Sequence, residues 1–161
     1  MKKLFLLGLI GFLAMFSMNE NAYALFGKKN SNVEWKLGHN ANTDHIWHKT
    51  AVKFSELVEK KSGGKMIVKV FPNGQLGSET DMINSVRLGT LDMVLTGETL
   101  QNWAPKAALM AVPYAFRDLD QMRKVLNGPI GNEIKSDIEK KAGLIPLYYH
   151  ERAPRNLTTN R

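Results

Sequence analysis

The chain has 161 residues, no cysteine, and 22 Lys plus Arg against 15 Asp plus Glu, a formal net charge of +7. Without cysteine there is no disulfide framework, no thiolate metal site and no lipoprotein anchor. The basic residues are scattered (Lys60-Lys61, Lys65, Lys69, Lys140-Lys141), which argues against nucleic acid as a partner and leaves a mild positive field that favours an anionic ligand.

In chain order, Lys2 and Lys3 precede an apolar run from Leu4 to Met15, and Ala22-Tyr23-Ala24 follows as a small-x-small cleavage pattern. The run falls short of the ~20 residues that span a bilayer. The expectation is a cleaved signal peptide over 1–24 and a protein exported to a Gram-negative periplasm, where a domain of ordinary size can rely on its core rather than on disulfides. Removing those residues takes away two lysines and one glutamate and leaves a net charge of +6. Residues 25–32 read as a flexible leader.

Val33 to Gly38 alternates apolar and polar side chains, the pattern of a strand. Asn42-Thr43-Asp44 offers helix caps, and Trp47, Ala51, Phe54 and Val58 form the apolar stripe of an amphipathic helix that Gly63-Gly64 stops. Lys65 to Phe71 is a second strand closed by the turn Pro72-Asn73-Gly74. Ser78 caps a second helix with Asp81 three residues on, Met82 and Val86 face inward, and Gly89 stops it. Leu91 to Leu95 is short and apolar, a buried strand.

From Thr99 to Phe116, prolines at 105 and 113 break the chain into short helical turns. Asp118 to Leu126 and Gly131 to Ala142 are two helices split by Asn127-Gly128-Pro129. Leu144 to Tyr149 reads as another strand, with Pro146 marking an edge or an irregularity. The order β-α-β-α-β-αα-β specifies an α/β fold with a mostly parallel sheet flanked by helices. Loops around Gly38 to Thr43, Leu95 to Thr99 and His150 to Arg155 should then converge at one rim, where such sheets hold ligands.

No catalytic signature accompanies this scaffold. There is no G-x-S-x-G elbow and no phosphate-cradling glycine spacing. His39, Asp44, His45 and His48 match no standard metal motif and read as polar loop and first-turn residues. The chain is therefore not read as an enzyme, and no metal or cofactor is assigned. Past the last strand, Tyr148, Tyr149, His150, Glu151, Arg152, Pro154 and Arg155 gather. Arginine grips a carboxylate with two parallel hydrogen bonds.

Five motifs follow the signal peptide in series: F-P-N-G-Q-L-G-S-E at Phe71 to Glu79, G-T-L-D-M at Gly89 to Met93, V-P-Y-A-F-R-D at Val112 to Asp118, G-P-I-G at Gly128 to Gly131, and R-N-L-T-T-N-R at Arg155 to Arg161. In this order the chain closely resembles the solute-binding receptors of tripartite ATP-independent periplasmic (TRAP) transporters. The resemblance implies the type II periplasmic-binding-protein fold, two hinged domains closing on an organic acid, such as a C4-dicarboxylate, and an integral-membrane permease driven by an ion gradient. It implies a receptor domain I over 33–153 and the start of a hinge over 154–161, with the second domain missing. The ligand-binding residues it implies are Arg155 on the carboxylate, Asn40 after the first strand and Glu98 on the third-strand loop, with His39 and Tyr149 as neighbouring candidates. Family members are roughly twice as long, so the expectation is an N-terminal half that supplies one wall of the site. A monomer without nucleic-acid partners is expected. The alternative is a periplasmic ligand sensor feeding a membrane signalling kinase.

Overall fold

The computed structural model describes residues 32–149 and 159–160. From Glu34 onward these belong to one compact unit. The elements run β1 (Val33–Gly38), α1 (Ile46–Ser62), β2 (Met66–Phe71), α2 (Glu79–Arg87) and β3 (Met93–Val94). Two 3-10 helices follow (Glu98–Asn102 and Pro105–Ala111), then α3 (Leu119–Leu126), α4 (Pro129–Asp137) and a π-helical turn (Ile138–Ala142). The sheet order is β2-β1-β3, which puts β1 in the centre. β1 and β3 are parallel, with Leu37 opposite Met93 and Gly38 opposite Val94.

Strand alternation divides the core in two. Leu37 and Val68 meet Ala51 of α1 on one face, with Trp35, Phe54, Val58, Val70, Met93 and Leu95 packed around them. A larger cluster holds Ile83 of α2, Leu100 and Ala107 of the 3-10 helices, Ala104 between them, and Leu126, Ile134, Ile138 and Ala142 further on, and Val94 packs against it. Met93 and Leu95 thus serve one cluster and Val94 between them the other, as a period of two requires. α1 is also lashed to β2 by polar bonds: the Ser55 hydroxyl donates to the Val68 carbonyl at 2.6 Å, and the Met66 N–H donates to Ser62 Oγ at 3.0 Å.

Two glycines permit close approach. A Cβ on Gly38 would sit 2.6 Å from Met82 Sδ, so the bare backbone of β1 lets α2 settle on the sheet. A Cβ on Gly131 would lie 1.7 Å from the Leu126 carbonyl oxygen, where the first turn of α4 crosses the end of α3. The G-P-I-G motif is therefore a packing device: Pro129 starts α4 at a position that needs no N–H, and Gly131 lets it fold back on α3.

The sequence expectations hold for β1, for β2 to within a residue, and for the Ser78–Asp81 capping box, which forms with both reciprocal bonds. α1 starts later than Asn42–Asp44 imply. The Asn42 side chain accepts the His45 N–H, and His45 is the cap, its Nδ1 accepting from the Trp47 N–H at 3.1 Å. β3 is shorter than Leu91 to Leu95 because the Asp92 carboxylate, not a backbone carbonyl, takes the Lys36 N–H at 2.8 Å. The strand expected over Leu144 to Tyr149 is absent: residues 143–149 form no ladder. Pro146 offers no N–H, both edges of β1 are taken by β2 and β3, and β3 pairs over only two residues.

Gly131→Ala forces a methyl group against backbone that cannot rotate away. Overpacking of this kind costs about 1–3 kcal/mol, and an immovable neighbour puts this site at the upper end. A denaturant midpoint unchanged by the substitution would show that α3 and α4 do not cross this closely.

Candidate functional site

The site is built where the three strands end. The Leu95 N–H donates to the Gly38 carbonyl at 3.0 Å, joining the end of β3 to the end of β1. On the other side, the His39 N–H donates to the Phe71 carbonyl at 3.0 Å. The turn after β2 then folds back onto the loop after β1: Gly74 N–H donates to the His39 carbonyl at 3.1 Å, and Asn73 N–H to the Ala41 carbonyl at 3.0 Å. Asn73 (φ +57°) and Gly74 (φ +66°) are both left-handed, which the P-N-G sequence accommodates at low cost. The rim expected around Gly38 to Thr43 and Leu95 to Thr99 is thus assembled by backbone hydrogen bonds. Its third expected loop, His150 to Arg155, lies outside the described residues, as do the signal peptide and nearly all of the hinge segment.

Asn40 is exposed on this rim, and its Oδ1 would lie 3.4 Å from a Cβ on Gly74. Glu98 opens the first 3-10 helix directly after β3 and is half-buried. His39, between β1 and Asn40, is fully buried. Its Nε2 lies 3.2 Å from His48 Nδ1, so β1 is coupled to the first turn of α1 through a histidine pair. Burial, and then the nearby His48 charge, hold the His39 pKa below its usual value of 6.5, opposed by the Ala41 carbonyl. His45 is occupied as the helix cap and stacks edge-on against Trp47, ring centroids 5.6 Å apart. Among the described residues these histidines and Asp44 do not gather into a metal-holding group.

Tyr149 is placed differently. Its hydroxyl donates to the Gly131 carbonyl at 3.2 Å, and Lys135 Nζ stands 5.6 Å from its ring centroid. Burial, and then Glu139, raise its pKa. The ring packs against the larger core cluster, so the described structure ties Tyr149 to α4. Arg155 lies outside the described residues. Two surface hollows, one lined by Glu56, Glu59, Lys60 and Gly63-Gly64 and the other by Asn84, Arg87, Leu88 and residues 140–143, contain no rim residue.

Sequence reasoning missed Glu79. This first residue of α2 reaches the end of β3, where its Oε1 accepts the Thr96 hydroxyl and, at 2.9 Å, the Gly97 N–H. Its signals were its place at the end of the F-P-N-G-Q-L-G-S-E motif, which names no role, and an acid in the first turn after a capping serine, which reads equally well as a helix-dipole partner.

Residues 37–161 match the family model DctP, bacterial extracellular solute-binding protein, family 7. The chain belongs to the DctP family. A solute-binding protein of Roseobacter denitrificans is 52% identical over 126 residues, covering 78% of this chain and 39% of that protein. The crystal structure of a TRAP periplasmic solute-binding protein from the same organism, with bound L-galactonate, superposes with a TM-score of 0.67 at 52% identity over 70% of this chain and 37% of that one. A Bradyrhizobium TRAP receptor in complex with D-galacturonate matches with a TM-score of 0.67 and 38% identity, covering 73% of this chain and 39% of that one. The C4-dicarboxylate-binding protein DctB of Bacillus subtilis is 36% identical over 111 residues, 68% of this chain and 31% of that protein. The chain thus spans about two fifths of the length of its DctP-family relatives or less. The resemblance drawn from its motifs and the α/β fold with a parallel sheet both hold, and the family is one of substrate-binding receptors.

The depressed His39 pKa fixes a sign for stability. Below pH 6.5 the unfolded chain takes up a proton that folded His39 resists, so this contribution is fully present above 6.5 and is lost as pH falls toward the folded value. Carboxylates titrate mostly below this window. Urea denaturation should show lower stability at pH 5.5 than at pH 7.5, with a smaller difference in His39→Gln. An equal difference in the variant would remove His39 as the source.

Proposed function

We propose that the protein is a periplasmic TRAP receptor whose ligand is a sugar acid, a polyhydroxylated monocarboxylate of the hexonate or hexuronate class, delivered to an integral-membrane permease. The observation that carries this reading is the 52% identity to the Roseobacter denitrificans receptor solved with L-galactonate, well above the 36% to the C4-dicarboxylate-binding protein.

The rim chemistry supports the same class. Asn40, Thr96 and Glu98 offer oxygen acceptors, which suit the hydroxyl donors along a sugar-acid chain. Succinate, an unsubstituted C4-dicarboxylate, brings no such donors, and its second carboxylate would meet the Glu98 carboxylate. Arg155 is the proposed partner of the single ligand carboxylate, through its two-pronged guanidinium. Residues 1–24 are proposed as the signal peptide that directs export, and 33–153 as the first of two ligand-binding walls.

Calorimetry on the natively expressed protein tests this. L-Galactonate and D-galacturonate should bind at least about tenfold more tightly than succinate. Arg155→Lys keeps the charge but loses the forked geometry, and should weaken sugar-acid binding by about 1–3 kcal/mol. Tighter binding of succinate would overturn the ligand class, and unchanged affinity in the variant would remove Arg155 from the site.

A further inference from the structure

We propose that Glu79 is a positioning residue for ligand capture: through Thr96 and Gly97 it fixes the shape of the β3 loop that presents Glu98 at the rim. The inference rests on the sugar-acid reading above and deepens it, because Glu79 sets which groups of that loop a ligand meets.

The 3-10 helix Glu98–Asn102 starts at Gly97 with no side-chain cap. The Gly97 N–H is instead satisfied from 18 residues away, by Glu79 Oε1 at 2.9 Å, and the same oxygen accepts the Thr96 hydroxyl. From another direction the Trp47 ring comes within 3.9 Å of where a Cβ on Gly97 would stand. The loop is therefore held by the first turn of α2, with the Trp47 ring of α1 close beside it.

Glu79 is well suited to the task because its own base is rigid. It is the first residue of α2, behind a complete capping box: Ser78 N–H and hydroxyl donate to Asp81 Oδ2 at 2.9 and 2.6 Å, and Asp81 N–H returns to Ser78 Oγ at 3.2 Å. A carboxylate on a fixed helix end is a pre-organised acceptor, and order set before binding need not be supplied by the ligand. The clamp also sets polarity. A hydroxyl has one proton, and Thr96 gives it to Glu79, so Thr96 faces a ligand as an acceptor only. That favours a ligand hydroxyl and disfavours a second ligand carboxylate. In the sugar-acid reading, Glu79 selects for polyhydroxylated ligands through the polarity it imposes on Thr96.

The test compares Glu79→Ala, Glu79→Gln and Asp118→Ala in the natively expressed protein. Asp118 caps α3, which packs on α4, so its loss weakens a helix elsewhere. Amide hydrogen exchange at Thr96 and Gly97 is read without ligand, and L-galactonate and succinate affinities are read by calorimetry. Glu79→Ala should speed exchange at Gly97 and weaken L-galactonate about tenfold or more. Glu79→Gln keeps the acceptor oxygen and should recover most of that loss. Asp118→Ala should lower the melting temperature and leave affinity within about twofold. Unchanged exchange in Glu79→Ala overturns the clamp, and faster exchange with unchanged affinity overturns its role in capture. A wild-type protein that orders Gly97 yet binds neither acid overturns the sugar-acid reading and the capture role with it, leaving the exchange result to stand on the loop alone.

Discussion

The backbone from Gly38 to Ala41 hydrogen-bonds in two directions at once. Gly38 accepts from Leu95 on the β3 side, while the His39 N–H goes to Phe71, and the His39 and Ala41 carbonyls take Gly74 and Asn73 on the β2 side. Remove that segment and three strand ends lose their common anchor. Each bond adds only about 1 kcal/mol net, but an orphaned donor or acceptor in this partly buried place would cost more, so the set is held as a unit. This is why the turn after β2 cannot be an arbitrary connection. Its left-handed Asn73 and Gly74 aim two consecutive N–H groups at the β1 loop.

The same segment explains why a titratable ring is buried beside an exposed amide. Side chains alternate across a strand and where it ends. Leu37 enters the α1 face, Gly38 leaves room for Met82, His39 turns inward to meet His48, and Asn40 emerges on the rim. The histidine pair is thus the polar closure of a core that must end somewhere beneath a polar surface. One acidic side chain from α2 completes the arrangement by reaching the neighbouring loop.

Where local chemistry decides, the sequence was legible. The β1 alternation, the Ser78–Asp81 capping box and the glycine stop after α1 are encoded within a few residues of where they act, and they appear as read. Where a partner decides, it was not. Pairing lost to the Asp92 side chain shortened β3, and Leu144 to Tyr149, interrupted by Pro146, joins neither outer strand of the sheet. Asn42 looked like a cap and supports one instead, accepting the His45 N–H while the His45 ring supplies the cap acceptor one turn later. In the site, Asn40 and Glu98 could be placed on the rim from strand ends alone. Glu79 could not, since its partners lie 17 and 18 residues away and the motif that it closes does not say what its carboxylate bonds to.

That last contrast bears on how such a receptor can change ligands. In the proposed sugar-acid receptor, residues on the rim would meet the ligand directly, so altering one would change a contact and leave the loop's shape in place. A residue like Glu79 acts on the shape and on the hydroxyl polarity of Thr96 together, so altering it changes several contacts at once. The G-S-E end of the β2 turn and the L-D-M-V-L-T-G strand and loop are therefore coupled stretches of sequence. Thr96 as an acceptor requires a fixed acceptor for its own proton, and the first residue of a capped helix is the place in this fold that supplies one. Selection on ligand chemistry would then act on the two stretches as a pair, although they belong to different elements and meet only in the folded chain.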